Sequence, residues 1–209
     1  MNFLGHAYVA LGLGSEDPVF VLGAVLPDLV SMARVRLIRS HLHGPLHDGV
    51  RCHVDADAAF HSNGEFVGGA AALRTELTDI GLRTGPARAI GHVGWELLLD
   101  GALIGSTAET AFRRAVDVGE VAVAAVDSPH RARWRAFLSR WDAASPLRYD
   151  DPEWVGQRIL VMLARRPRLR LAEAQLPEVV DVLERHAPVV RSVAHDVLSD
   201  TVDAVGRGD

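Results

Sequence analysis

Residues 45–61, PLHDGVRCHVDADAAFH, determine the predicted fold, because they combine a helix signature with metal-binding side chains. Pro45 suits the first position of a helix, since its missing N–H would have no partner there. His53 and Asp57 follow at an interval of four, and side chains four residues apart share one helix face, ~5–6 Å apart at Cβ. We therefore predict a helix from Pro45 to about Phe60, with His53 and Asp57 placed to bind one metal ion.

His61 continues the same spacing, four residues after Asp57 and eight after His53. Eight residues of helix extend about 12 Å at 1.5 Å per residue, so His53 and His61 would rarely share one ion. His61 is therefore a candidate for binding a second ion, for holding a substrate group, or for contacting the metal ligands without binding the ion itself.

A second helix predicted from Pro86 to roughly Ile104 repeats the pattern with His92, Glu96 and Asp100. If the two helices pack antiparallel, two imidazoles and two carboxylates would lie together along the line of contact between the helices, which we call the seam. Imidazole with carboxylate suits zinc, iron, manganese or nickel, and the mixture alone does not choose among them.

A non-metal interpretation of these pairs has to be weighed. A single helical histidine is usually a core or surface residue, and one His/acid pair at this spacing is usually a surface ion pair. Here apolar residues flank both pairs in the sequence, and burial of an acid costs free energy unless the acid is paired or metal-bound. Two such pairs on separate helices favour a metal site.

Helical periodicity extends along nearly the whole chain, and strand signals are scarce. We predict a single all-α domain over residues 1–209. The other predicted helices are Asn2–Leu13, Val19–Arg36 with a break at Pro27, Glu65–Ile80, Ala108–Val126, Ser128–Ala144, Pro152–Arg165 and Leu176–Val205 with a kink at Pro188.

Composition limits the classes of function. Of 209 residues, 48% are hydrophobic and 23% charged, as in ordinary globular proteins, and the net charge of −5 argues against a nucleic-acid binder.

The single cysteine, Cys52, indicates a reducing compartment. No stretch approaches the ~20 apolar residues of a membrane span, and the start lacks the basic region and cleavage site of a signal peptide. We expect a cytoplasmic protein without membrane or nucleic-acid partners.

For other polar residues, the spacing alone leaves more than one role open. His6 and Asp28 are lone polar side chains in apolar helices, where each could bind metal, cap a helix or line the core. The doublet His47-Asp48 is typical of helical metal phosphohydrolases. However, His47 and His53 differ by about 120° around a helix, so we favour His53 and Asp57. His47 is assigned, with the nearby His41 and His43, to the entrance of the site.

Several motifs resemble one known family. The opening Met1–His6, MNFLGH, is similar to the MNFLAH start of bacterial acyl carrier protein phosphodiesterases. Gly23–Asp28, GAVLPD, resembles that family's Gly-Asn-Leu-Leu-x-Asp segment, and Gly49–His61 lies where the family has its first His and Asp motif. Ala164–Leu169, ARRPRL, is similar to a late Ser-Arg-Arg-Pro-Arg-Leu stretch. The matches occur in order from residue 1 to about 170.

The resemblance implies a compact helical fold related to the His-Asp phosphohydrolases. It also implies metal-dependent hydrolysis, often with manganese, in which activated water attacks a phosphodiester and releases the phosphopantetheine arm of acyl carrier protein. Another phosphopantetheinylated or phosphoester substrate is the alternative partner. His6 and Asp28 would then join His53 and Asp57 as ligands of manganese, iron or zinc. Arg51 would stabilise developing charge.

The chain departs from the family pattern at the predicted seam. His61 replaces the second Asp of the first motif, and His92 and Glu96 stand where the family has an Asp-x-x-x-Asp-His motif. With His92 and Glu96 as ligands, and Asp57 and His61 beside Arg51 as catalytic candidates, the site is rich in imidazole. Such sites tend toward softer or redox-active metals. A metal-dependent phosphoesterase is the first hypothesis; a di-iron oxygenase of the His-Asp type and a non-catalytic binding protein remain open.

Overall fold

The computed structural model describes residues 1–141 and 147–207, and most of these residues lie in helices. The predicted all-α class is confirmed. An isolated antiparallel bridge joins Leu37 and Val126, and the described residues form no strand. The α-helices are α1 (Phe3–Gly12), α2 (Pro18–Ala33), α3 (Gly44–Ser62), α4 (Gly64–Asp79), α5 (Thr84–Ala102), α6 (Thr107–Asp117), α7 (Arg131–Leu138), α8 (Pro152–Leu163) and α9 (Leu176–Gly206).

Side-chain caps define where several helices begin. The Asp17 carboxylate accepts a hydrogen bond from the Val19 N–H, and Pro18 occupies the first position of α2. Asn63 and Asp151 cap α4 and α8 in the same way. Each side-chain oxygen accepts from one or two of the N–H groups that lack a partner inside the helix. These caps therefore fix the residues at which α2, α4 and α8 begin.

The break predicted at Pro27 is absent, since Pro27 lies inside a continuous helix. Pro188 also lies inside a continuous helix, and the kink predicted there stays a prediction. A proline removes one hydrogen bond from a helix, but burial of the residues that flank the proline can stabilise the helix at that point. Leu26 and Leu29, on either side of Pro27, are fully buried. Their packing keeps α2 intact and leaves Asp28 on a regular helix.

Among the helices that end earlier than predicted, α6 and α7 differ most from their predicted ends. α6 stops at Asp117, and residues Gly119–Ala125 continue as a tighter 3₁₀ helix. The indole N–H of Trp134 donates to the Gly119 carbonyl oxygen at 3.0 Å, which fixes this change of helix type. α7 ends at Leu138, whereas its predicted end at Ala144 lies outside the described residues.

The chain packs as two compact units. Unit 1 comprises Met1–Ala59, Gly105–Pro146 and Leu198–Asp209, and unit 2 comprises Phe60–Ile104 and Leu147–Val197. The single domain expected over the whole sequence stays a prediction.

In unit 1, α1, α2 and α6 pack against one another, and α3 crosses α2 at a pair of glycines. A Cβ on Gly49 would collide with the Phe20 carbonyl oxygen, and one on Gly23 would collide with the Leu46 carbonyl oxygen. Both positions therefore need glycine for the two backbones to approach. This crossing brings the first half of α3 against the first half of α2.

In unit 2, α4 pairs with α5, and α8 packs on the other side of α5. Gly69 on α4 faces Trp95 on α5 so closely that a Cβ there would collide with the indole nitrogen. Trp95 is almost completely buried, and Phe60 and Phe66 pack around it. The aromatic cluster fixes the face of α5 that carries Glu96.

None of the described helices combines the length and the apolar composition that crossing a membrane requires.

Candidate metal centres

Two imidazoles lie stacked in the core of unit 1. His6 comes from α1 and His53 from α3, and their ring centroids are 3.9 Å apart with the planes inclined by 22°. His53 Nδ1 lies 2.8 Å from the Ala24 carbonyl oxygen. Because a carbonyl oxygen only accepts, Nδ1 carries the proton and Nε2 of the neutral ring keeps its lone pair. A backbone contact of this kind orients a metal-binding histidine.

Two carboxylates face these rings. His6 Nε2 lies 3.7 Å from Asp28 Oδ2 on α2 and 3.4 Å from Asp57 Oδ1 on α3, and His53 Nε2 lies 3.7 Å from Asp57 Oδ2. The Met1 nitrogen contacts Asp57 Oδ1 at 3.0 Å. Of the four ligands expected from the sequence and its family resemblance, His6, Asp28 and His53 have ligand atoms within 4.8 Å of one another, and Asp57 lies beside both imidazoles.

Burial sets the protonation states of this group. His6 is 1% exposed, and burial lowers its pKa to about 3, with Asp57 offsetting only part of the effect. Burial also lowers the pKa of His53. For Asp57, burial alone would raise the pKa, but His6 and the Met1 nitrogen outweigh it and hold the pKa below its usual range. At neutral pH the group presents neutral imidazoles and an ionised carboxylate, the forms that bind metal ions.

The donor set fits a metal ion. Within the described residues, neither ring nitrogen of His6 has a hydrogen-bond partner, although the ring is buried. An unsatisfied buried polar group costs about 1–3 kcal/mol, and a cation accepting a lone pair would remove that cost. Ligand atoms held about 2.0–2.2 Å from one ion lie at most about 4.4 Å apart. The measured nitrogen–oxygen separations of 3.4–3.7 Å fall inside that limit.

A cleft of about 720 Å³ opens onto His53 and Asp57 in unit 1. Arg39 and Arg51 line it and are exposed, and the carboxylates of Asp55 and Asp57 line it as well. The rest of the wall includes the apolar side chains Pro27, Val30, Leu37, Leu42, Val50 and Val54. An anionic group entering this cleft would meet arginine near the buried histidines.

The histidines assigned to the entrance are exposed. His47 lines the cleft and contacts Asp48, with 3.2 Å between His47 Nδ1 and Asp48 Oδ1. His41 Nδ1 lies 3.2 Å from the Ala124 carbonyl oxygen, and His43 is exposed. The literal His47-Asp48 doublet is thus outside the buried group, in keeping with the preference for His53 and Asp57.

A second group of ligand-type side chains lies in unit 2. His61 Nε2 and His92 Nε2 lie 3.1 and 3.2 Å from the same oxygen, Glu96 Oε1. The two imidazoles are stacked, with centroids 5.0 Å apart and planes within 8° of parallel. Phe66 packs edge-on against both rings. A second cleft, of about 680 Å³, is lined by His61 and His92 together with Phe66, Val67, Ala70, Ala71, Arg74 and Arg88.

Glu96 is ionised in this surrounding. Burial alone would raise its pKa, but hydrogen bonds to His61 and His92 outweigh burial and hold the pKa below its usual range. Asp100, one turn further along α5, is fully buried and is not part of the group of ligand atoms.

The residues predicted from the sequence thus separate into two groups. His61 lies with His92 and Glu96, and the seam expected between the two helices stays a prediction. Sequence reasoning missed Arg39, which has no helical spacing to mark it because it lies in a short 3₁₀ turn. Only the path of the chain between α2 and α3 brings Arg39 to the cleft.

Comparison with models of known protein families, with curated proteins and with solved structures finds no match for this chain. The resemblance to acyl carrier protein phosphodiesterases therefore rests on the quoted residues alone.

Proposed function

We propose that this chain is a metal-dependent hydrolase of phosphoric esters, with His6, Asp28, His53 and Asp57 as the ligands of its metal centre. The observation that carries the proposal is the stacked pair of buried imidazoles facing two carboxylates beside a cleft with two arginines. A divalent ion held there would lower the pKa of a bound water toward 7 and polarise a phosphoryl oxygen. Manganese, iron and zinc all suit this mixed ligand set.

The residues of the cleft have separable tasks in this proposal. Arg39 and Arg51 bind the anionic oxygens of the ester, for which a planar guanidinium is well suited. Asp57 is ionised at neutral pH and partly exposed, so its carboxylate can accept a proton from the attacking water. His53 is oriented by the Ala24 carbonyl, and His6 is held by its burial.

The substrate we propose is a phosphodiester, with phosphopantetheinylated acyl carrier protein first because of the sequence resemblance. The single cysteine fits a reducing compartment, so we place the activity in the cytoplasm.

A direct assay tests the proposal. Full-length protein loaded with manganese, iron or zinc is incubated with phosphopantetheinylated carrier protein and with bis(p-nitrophenyl) phosphate. We expect release of the phosphopantetheine arm, seen by intact mass, or release of nitrophenolate. Arg207→Gln, an exposed substitution at the end of α9, should act like the wild type, and His53→Ala should not. Hydrolysis of neither compound with any of the three metals would contradict the proposal.

A second candidate function follows from the chemistry of the ligands. Each group combines two imidazoles with at least one carboxylate, a set typical of non-haem iron oxygenases. If the protein were a di-iron oxygenase, anaerobic Fe²⁺ loading followed by oxygen would consume O₂ and change the iron absorbance. Iron-loaded protein that hydrolyses phosphoesters and consumes no O₂ would leave only the first candidate.

A further inference from the structure

We propose that His61, His92 and Glu96 in unit 2 form a second binding site for a divalent transition-metal ion. The proposal goes beyond the function proposed above, since it concerns another set of side chains and does not depend on hydrolysis.

The convergence of three ligand atoms is the first argument. His61 Nε2 and His92 Nε2 both approach Glu96 Oε1 within 3.2 Å, and all three atoms lie within 4.8 Å of one another. Two nitrogens and one oxygen so arranged form one face of a metal coordination shell. The same number and type of protein ligands, two imidazoles and one glutamate, bind zinc in several hydrolases.

The local architecture supports a fixed geometry. His92 and Glu96 are four residues apart on α5, which places them on one helix face, and His61 comes from the last turn of α3. The rings of His61 and His92 are nearly parallel, and Phe66 packs against the edges of both. The three ligands are therefore held by two helices, α3 and α5, and by aromatic packing.

Charge and burial favour a cation at this point. Glu96 is ionised and its side chain is 12% exposed, so water only weakly screens the attraction between its carboxylate and a nearby cation.

The type of ion follows from the donors. Nitrogen ligands favour transition metals over magnesium and calcium, which prefer oxygen. The side chain of His92 is 47% exposed and faces the cleft of about 680 Å³, so water or a small ligand can complete the coordination. We therefore choose Co²⁺ as the probe, because its visible absorption reports the ligands directly.

The experiment titrates chelator-treated, full-length protein with Co²⁺ by calorimetry and by visible absorption. We expect two Co²⁺ per chain for the wild type and one for His92→Ala. Glu96→Gln, which keeps the shape of the side chain and removes its charge, should weaken one of the two sites at least tenfold. His195→Ala, an exposed histidine of the same unit, is the matched control and should bind two ions. Circular dichroism shows that each variant is folded.

The outcomes distinguish this proposal from the proposed function. If His92→Ala and Glu96→Gln bind Co²⁺ with the wild-type stoichiometry and affinity, His61, His92 and Glu96 are an ion-pair cluster and the proposal is overturned. If the wild type binds one ion that His92→Ala loses and His53→Ala keeps, the second site stands and the centre in unit 1 is wrong. His61→Ala repeats the test from a different helix, in case His92→Ala does not fold.

Discussion

His6 and His53 stack face to face in the core of unit 1, with ring centroids 3.9 Å apart and planes inclined by 22°. Two imidazoles at this distance cannot both be protonated without strong repulsion, and burial disfavours the charged form of each. The pair is therefore neutral at physiological pH, with lone pairs available beside Asp28 and Asp57. The predictions below follow from this relationship and from the helices that produce it.

Replacing His6 should separate metal binding from folding. In His6→Leu, a buried ring without hydrogen-bond partners becomes apolar, so the metal-free variant should be as stable as the wild type or up to about 2 kcal/mol more stable. Adding Mn²⁺ or Zn²⁺ should raise the melting temperature of the wild type more than that of the variant, which keeps only the group of His61, His92 and Glu96. Thermal unfolding with and without metal measures both effects.

Leu4→Ala is the control for that experiment. Leu4 is fully buried on the same helix, so the substitution should cost about 2–5 kcal/mol whether or not metal is present. It should still show stabilisation by metal. An equal response to metal in His6→Leu and the wild type would show that His6 is not a ligand.

The stability of the metal-free protein should depend on pH between about 3 and 6.5. The pKa of His6 is about 3 in the folded protein and near its ordinary 6.5 when unfolded, so the unfolded chain binds more protons in this range. Stability therefore rises with pH, by up to about 1.4 kcal/mol per unit for this one group, and is lost as pH falls. Urea unfolding at several pH values measures the slope.

His6→Leu should flatten that slope, because it removes the buried group that protonates on unfolding. His195→Ala, in which an exposed histidine is removed, should keep the wild-type slope. A slope that is the same in all three proteins would show that His6 is not kept neutral by the fold.

The glycine crossing of α2 and α3 should be sensitive to a single methyl group. In Gly49→Ala the new Cβ would collide with the backbone of α2 at Phe20, so the helices must separate. We expect a loss of about 1–3 kcal/mol in the free energy of unfolding and weaker metal binding, because His53 moves with α3. Chemical denaturation and metal titration measure the two effects.

Gly68→Ala is the matched change for Gly49→Ala. Gly68 is an exposed helical glycine of α4, and a Cβ there has no atom within 4 Å. Alanine should stabilise the helix by up to about 1 kcal/mol and leave metal binding unchanged. Equal effects of the two substitutions would argue against a tight crossing at Gly49.

The arginines of the first cleft should affect the substrate and not the metal. A hydrogen bond to a charged group contributes about 1.5–3 kcal/mol, so Arg51→Gln should lower kcat/KM for a phosphodiester roughly ten- to hundredfold. Metal content should stay that of the wild type. Arg39→Gln tests the second cleft arginine in the same way, and Arg207→Gln should change neither quantity. Loss of metal from Arg51→Gln would mean that Arg51 supports the ligands instead.

Much of the fold could be predicted from local sequence signals. Proline and capping residues mark the helix starts, and α3, predicted from Pro45, begins one residue earlier at Gly44. The predicted end of α6 at Val126 was wrong, because the 3₁₀ segment after Asp117 depends on a hydrogen bond from Trp134, far along the chain. Helical periodicity contains no information about such tertiary contacts.

The two groups of candidate metal ligands also depend on tertiary contacts that local sequence spacing does not predict. The separation of four residues along a helix predicted the pairs His53/Asp57 and His92/Glu96, and the two side chains of each pair are in contact. Spacing could not assign His61 to the second pair, since that depends on how α4 and α5 fold back within unit 2. His6 and Asp28 are single residues on separate helices, so only the family resemblance indicated them before the structure brought them together.

Elemental analysis of the full chain, purified without chelator, tests the central claim most directly when wild type and His53→Ala are compared. The account predicts at least one manganese, iron or zinc ion per wild-type chain and at least one ion fewer in His53→Ala, with both proteins folded by circular dichroism. A metal-free wild type, or the same metal content in the two proteins, would contradict it.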